Sequence, residues 1–439
     1  MDDIEVLFGR GRLAVTLPGE ASATIIGKNA MPVVPDALVA VHDALANPIG
    51  ASSLAELSVG RKSACIVICD ITRPVPNQLF LRPMVETMIE AGIPLEAITI
   101  LVANGLHRSG DLAELAELVG DPWVFENVRL VGHVARDRAS LVDLGSTPRG
   151  VPVLINRQLV DADLRIVTGL VEPHFMAGWS GGRKVVVPGV AGENTIRRLH
   201  SALFMEDRRA TECNLEGNPL HEEQLAIVDR VGELYAINTV IDEQRALAYV
   251  NFGEIRASHG AAVDFVKEYA VVKVPRRYHT VVTSAAGYPL DKTYYQTVKG
   301  VVAAGGILEP GGTIIIASEL SEGFGSADFR AAQRKMIALG HDGFLADIVG
   351  KDFADVDEWE TEKLLQPMRQ GRVQLFTYNL TPDERADTGV EVIDSITSAV
   401  AASIARTGDP AVAVIPEGPY VIPRVDDRSA AHTSPVASR

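Results

Sequence analysis

The chain has 439 residues, 47% hydrophobic and 22% charged, which is enough apolar content for the cores of two or three domains and too much for a disordered protein. Its formal net charge of −16 argues against a nucleic-acid-binding surface, and no apolar run reaches the roughly 18 residues a membrane helix needs. Cys65, Cys69 and Cys213 are too few for a disulfide framework. With an acidic amino end that carries no signal-peptide pattern, the expectation is a cytoplasmic globular protein.

Ile4–Phe8 and Leu13–Leu17 read as strands and residues 35–46 as a helix, with no evident chemistry. Ala64–Cys69 is a short continuous apolar run, as expected of a strand covered on both faces. It ends in Asp70-Ile-Thr72-Arg73-Pro74. A helix over about 78–91 and a second strand, Ile98–Ala103, complete a βαβ unit that ends in Asn104-Gly-Leu-His107. The stretch 110–160 reads as helix, short strands and turns. A third strand over 163–169 precedes His174. Three strands thus carry polar or ionisable residues beyond their carboxyl ends, where open α/β sheets bind ligands.

Downstream, Ile196 and Leu199 share a stripe with Leu203 on a helix that begins near Glu193, with His200 beside it. Residues 210–275 read as mostly helical, and Val271–Arg277 as a crossover into a second α/β domain. That domain has strands near 279–284, 311–318, 373–378 and 411–415 and a helix near 395–405. Residues after Arg424 read as a frayed tail. The expected architecture is two α/β domains with mainly parallel sheets, residues 1–272 and 273–424, with the site in the cleft between them and a flexible tail at 425–439.

Each candidate motif has a functional and a plainer reading. Ser180-Gly181-Gly182-Arg183-Lys184 lacks the spacing of a nucleotide-binding P-loop; its glycines allow close backbone approach to a ligand phosphate, or form a tight surface turn with solvated basic residues. Lys184 precedes three valines that read as an apolar strand. There a lysine either loses hydration and becomes a nucleophile or extends its amine to water. His107, His174 and His200 have no local metal-binding spacing; each is structural, or the three converge over long range. Asp70, Thr72 and Arg73 either shape a loop or bind an anion, arginine being suited to a carboxylate or phosphate.

Taken together, Asp70–Pro74, Asn104–Arg108, E-P-H-x-x-A-G-W-S-G-G-R-K at Glu172–Lys184 and His200 resemble the nickel-pincer lactate racemase family. The resemblance continues through Tyr295, Gln296 and Lys299, Ser321–Gly325 and Trp359, spanning about residues 60–360. It implies a nickel-pincer nucleotide, a pyridinium mononucleotide with two sulfur-bearing arms, joined covalently to Lys184, with nickel bound by His200, the two sulfurs and a ring carbon. Nickel(II) suits square-planar coordination by such donors. The resemblance also places Asp70, Thr72, Arg73, Ser180, Gly181 and Gly182 around the cofactor. Arg73, Tyr295, Gln296, Lys299 and Trp359 then bind or orient the substrate.

The implied substrate is a 2-hydroxy acid. Its C2 hydrogen is hard to remove as a proton, because the adjacent carboxylate is already negative. Removal as hydride, with a base taking the hydroxyl proton, gives a planar 2-keto acid, and return to the other face inverts the centre. His107 and His174 are the two bases the resemblance implies. Cofactor-synthesis enzymes are the implied transient partners. Two alternatives are a lysine Schiff-base lyase on Lys184 and a non-catalytic small-acid-binding protein.

Overall fold

The computed structural model describes residues 4–242 and 244–426. The chain divides into two compact units, residues 30–268 and the combination of the segments up to Asn29 and from Tyr269 onward. The amino end therefore belongs with the later part of the chain, not with residues 30–268 as the division at 272 assumes. The physical reason is a strand ladder: β1 (Ser22–Ile25) pairs in parallel with Ala411–Ile415. Of the expected tail, Val425 lies in a strand, and residues 427–439 lie outside the described residues.

In residues 30–268 six strands form one sheet: β2 (Ala64–Cys69), β3 (Ile98–Ala103), β4 (Arg129–Gly132), β5 (Leu164–Leu170), β6 (Tyr235–Ile241) and β7 (Leu247–Glu254). The order is β7-β6-β5-β2-β3-β4, parallel except for the β6–β7 pair. Ile66, Val67 and Ile68 of β2 are fully buried, as a central strand covered on both faces requires. The helix Asn77–Glu90 buries Phe80, Leu81, Met84, Val85 and Met88 in the same core as Ile66 and Ile68, one apolar face at helical period.

Outside the glycine-rich stretch, two expectations fail in this unit. The stretch read as mostly helical holds the β6–β7 ladder; Tyr235–Ile241 is a short run between Gly232 and Asp242, a length that suits a strand. The helix Glu193–Leu199 ends at His200, so Leu203 leaves the stripe and is exposed in a separate turn, Ala202–Met205.

The chain leaves β2 toward β3 and β4 and later returns to β5 on the opposite side of β2. The carboxyl ends of β2 and β5 therefore flank a topological switch point, the crevice where open α/β sheets bind ligands.

In the other unit, β8 (Tyr278–Ser284), β9 (Leu308–Ala317), β10 (Arg372–Phe376), β11 (Glu391–Ile393) and β12 (Ala411–Ile415) join β1 in a six-stranded sheet. The order is β11-β10-β9-β8-β12-β1, parallel throughout. Val271–Val274, expected as part of a crossover, pairs with Ile422–Val425 instead. The helix Tyr294–Gly305 lies close on its sheet. A Cβ at Gly300 would sit 2.6 Å from the Ser284 carbonyl oxygen, so only glycine permits this approach. No helix among the described residues is long and apolar enough to cross a membrane.

Because Ile66 is fully buried on the central strand, Ile66→Ala is expected to lower unfolding stability by about 2–5 kcal/mol and Ile66→Val by about 0.5–1.5 kcal/mol. Urea titration followed by circular dichroism measures both; equal losses would contradict close packing at this position.

Candidate active site

Three adjacent strands deliver the candidate residues of the first unit. Asp70 follows β2, His107 follows β3, and Glu172 and His174 follow β5. Asp70 Oδ2 lies 2.6 Å from His107 Nδ1, and Asp70 Oδ1 accepts from the Thr72 hydroxyl at 2.6 Å and the Thr72 amide at 3.2 Å. Burial works to raise the Asp70 pKa, but His107, the Thr72 hydrogen bond and Arg73 outweigh it and hold it below the usual carboxylate range. An ionised Asp70 takes the Nδ1 proton of His107 in a hydrogen bond and leaves the basic lone pair on Nε2.

His174 is held differently. It is buried in a two-residue ladder, Pro173–His174 against Gly178–Trp179. The backbone amides of Met176 and Ala177 donate to its Nδ1 at 3.4 and 3.3 Å. Nδ1 is then an acceptor, and in the neutral ring the proton sits on Nε2.

Arg73 Nη1 donates to Glu172 Oε1 at 2.7 Å, joining the ends of β2 and β5 across the switch point. Glu172 Oε2 is buried without a hydrogen-bond partner, an omission that carries a desolvation penalty of about 1–3 kcal/mol. Glu172 was visible in the sequence within the E-P-H run, but nothing local marked it as the partner of Arg73.

The glycine-rich stretch is committed to internal packing. The Ser180 hydroxyl donates to the Leu170 carbonyl at 2.6 Å and accepts from the Glu172 amide at 3.0 Å. Gly181 and Gly182 have φ of 75° and 49°. A Cβ at Gly181 would meet Val171 at 2.8 Å, and one at Gly182 would meet the His259 ring at 2.9 Å. Arg183 is buried and does not act as a solvated cation. Its Nη1 donates to the Trp179 carbonyl at 2.9 Å and its Nη2 to the Ala177 carbonyl at 2.7 Å. These bonds clamp the segment that carries His174, and burial pushes the guanidinium down to about 9.

Lys184 does not lie against an apolar strand. Arg183–Val186 is a single helical turn, started by the Gly181–Gly182 backbone despite the β-branched Val185 and Val186. The half-buried Lys184 is close enough for its charge to act on both Cys69 and His200. Burial pushes the Cys69 thiol up to about 12, so it stays protonated at neutral pH. His200 caps the helix Glu193–Leu199, and its Nδ1–H donates to the Ile196 carbonyl at 2.8 Å. Burial first, and the Lys184 charge in addition, push it down to about 4 against the effect of that carbonyl. The ring is neutral at pH near 7, with its lone pair on Nε2. Among the described residues, no three histidine, cysteine, aspartate or glutamate side chains gather to hold a metal ion by themselves.

The second unit gathers its own set. Tyr295, Gln296 and Lys299 lie on the first two turns of the helix Tyr294–Gly305, and the Lys299 amine donates to Gln296 Oε1. Trp359, on the helix Glu358–Gln370, donates from Nε1 to the Tyr295 hydroxyl at 3.2 Å. That hydroxyl also bonds Asp357, and burial, with the charges of Asp357 and Glu360, keeps it protonated. Asp357 in turn accepts from the Ser326 hydroxyl at 2.5 Å. Neither Asp357, at a left-handed φ of 64°, nor Ser326 was legible as a site support in the sequence.

Residues 8–212 match the family model for the lactate racemase N-terminal domain, and residues 275–423 that for the lactate racemase C-terminal domain. The protein is accordingly an isomerase, an enzyme of the racemase class. The chain is 32% identical over 446 residues to the lactate racemase of Thermoanaerobacterium thermosaccharolyticum, covering 97% of this chain and all of that one. It is 33% identical over 395 residues to the lactate racemase of Lactiplantibacillus plantarum, covering 87% and 90%. The structure superposes on the T. thermosaccharolyticum lactate racemase apoprotein with a TM-score of 0.88 at 30% identity, over 96% of this chain and all of that one. A crystal structure of a Thermotoga maritima protein shares the fold, with a TM-score of 0.67 at 17% identity over 85% of this chain and 96% of that one. The chain belongs to the lactate racemase family.

Asp70→Asn, which removes the charge that orients His107, is expected to lower the racemisation rate about 10–100-fold. The depressed Asp70 pKa adds stability above the ordinary carboxylate value, and this is lost as pH falls through the folded one. Asp70→Asn should therefore melt below wild type at neutral pH, with a gap that begins to close below about pH 4 and is lost only once pH has fallen through the folded Asp70 pKa. A gap that persists at low pH would contradict the assignment.

Proposed function

We propose that this protein inverts C2 of a 2-hydroxy acid, with lactate the first substrate to test, using a nickel-pincer nucleotide held by Lys184 and His200. The observation that carries this reading is the state of His200: buried, neutral, anchored through Nδ1–H to the Ile196 carbonyl so that its lone pair is on Nε2, and close to the charge of Lys184. Histidine metal ligands characteristically donate their other ring N–H in this way. The donor chemistry fits the group. Lys184 is the amine for covalent attachment, His200 supplies one imidazole, and further metal donors would come from the cofactor's sulfurs. When bound, the nucleotide supplies a hydride acceptor.

The protein's own residues manage the proton and the charges. His107 Nε2 is the ready base for the substrate hydroxyl, because Asp70 holds the Nδ1 proton and stabilises the imidazolium that forms. His174 presents its Nε2–H to the substrate oxygen. To serve as base for the opposite enantiomer it must shift its ring away from the Met176 and Ala177 amides, which oppose a proton on Nδ1. Arg73 holds the substrate carboxylate, with Lys299 as a second cation. Tyr295, Gln296 and Trp359 orient the substrate, while Thr72, Ser180, Gly181 and Gly182 shape the loops around the cofactor.

Protein produced together with the cofactor-synthesis enzymes and nickel should convert single-enantiomer lactate, or another acid in a 2-hydroxy acid panel, to the racemate, as chiral chromatography would show. Because the enantiomers have an equilibrium constant of one, His107→Ala must lower kcat/KM by the same factor in both directions, here about 10²–10⁴; His174→Ala should do likewise. A loaded protein that leaves every acid optically pure would overturn the proposal.

A further inference from the structure

Glu172 is an unexpected residue in a site that takes an anionic substrate. It is buried, it follows β5 two residues before His174, and its carboxylate faces Arg73 across the switch point. Its backbone is fixed on both sides. Its amide donates to the Ser180 hydroxyl at 3.0 Å, and its carbonyl accepts from the Ser180 amide at 2.9 Å. A carboxylate so anchored offers its oxygens at a set position.

The ion pair is made through one oxygen only. A pair selected for stability alone would satisfy both oxygens, since a half-satisfied buried polar group is worse than an apolar replacement. Here Oε2 stays buried without a partner while Oε1 takes the Arg73 Nη1 donor at 2.7 Å. What the pair secures is the position of the guanidinium. Arginine has a long stem with many rotamers, and a planar fork binds a carboxylate well only when its plane is held in advance.

We infer that Glu172 is a positioning residue for Arg73, holding the guanidinium in the orientation in which it receives the substrate carboxylate. This rests on the reading of the site as one for 2-hydroxy acids. Acting through Arg73, Glu172 has its effect in substrate binding.

The test is a double-mutant cycle on the cofactor-loaded enzyme with lactate as substrate, using Glu172→Gln, Glu172→Asp, Arg73→Met and the Gln/Met double variant. Glu172→Gln should raise KM about tenfold with kcat within about threefold of wild type. Arg73→Met should raise KM at least as far, and the double variant no further, because Glu172 acts through Arg73. Glu172→Asp keeps the charge but withdraws it by one methylene, so it should also raise KM; wild-type KM in Glu172→Asp would show that charge, not position, matters. Weak inhibition by the neutral amide lactamide should be the same in all variants. Unchanged KM in Glu172→Gln, additive losses in the double variant, or a fall confined to kcat would each overturn the inference. If Glu172→Gln does not fold, the Asp variant decides alone. Wild-type enzyme that neither binds nor racemises lactate or its analogues would instead remove the 2-hydroxy acid reading, a result distinct from an active wild type with indifferent Glu172 variants.

Discussion

The parallel pairing of β2 with β5 on one side and β3 on the other is the constraint on which the site depends. A strand close-packed on both faces has no freedom to slide, since a one-residue slip would move every side chain out of the packing site that fits it. With register set from Ala64↔Leu164 and Ala64↔Ile98, the three strands end at one edge. Asp70 and Arg73, then His107, then Glu172 and His174 emerge there side by side. The core thus does more than stabilise the unit; it brings together residues more than a hundred positions apart.

Electrostatics of the candidate histidines follow one rule: each is set in its proton state by a different kind of partner. Asp70, a carboxylate, holds the proton of His107 on Nδ1. Backbone amides of Met176 and Ala177 keep Nδ1 of His174 an acceptor. The Ile196 carbonyl takes the Nδ1 proton of His200, while burial keeps that ring neutral. The same side chain thereby adopts different proton arrangements: His107 and His200 carry the proton on Nδ1, and His174 carries it on Nε2. The cations are likewise fixed: the buried Arg183 is spent on the carbonyls of Ala177 and Trp179, whereas the partly buried Arg73 is held by Glu172 at the switch point.

Much of this was legible in the sequence wherever composition alone sets structure. Ala64–Cys69, Ile98–Ala103 and Ala411–Ile415 are strands at the expected bounds, because continuous apolar runs between turn residues leave little choice. The candidate residues in 60–200 lie in one unit, and Tyr295, Gln296, Lys299 and Trp359 in the other. What escaped depends on tertiary partners. Three valines after Lys184 favour a strand, but two left-handed glycines start a helical turn there. Arg183 looks like a surface cation until its carbonyl acceptors are in place. The strand Ser22–Ile25 carries no local sign that it will pair with residues nearly four hundred positions away. Glu172 and Asp357 support other site residues through side chains, and spacing along a chain does not reveal such support.

The central claim is that Lys184 and His200 hold a covalently attached, nickel-bearing cofactor. The most direct measurement is the intact mass and peptide map of protein produced with the cofactor-synthesis enzymes, with nickel determined on the same sample. The account predicts an adduct on the peptide that contains Lys184 and about one nickel per chain, as one imidazole ligand per site implies, with the nickel lost in His200→Ala. Racemisation by protein that carries neither adduct nor nickel would contradict it.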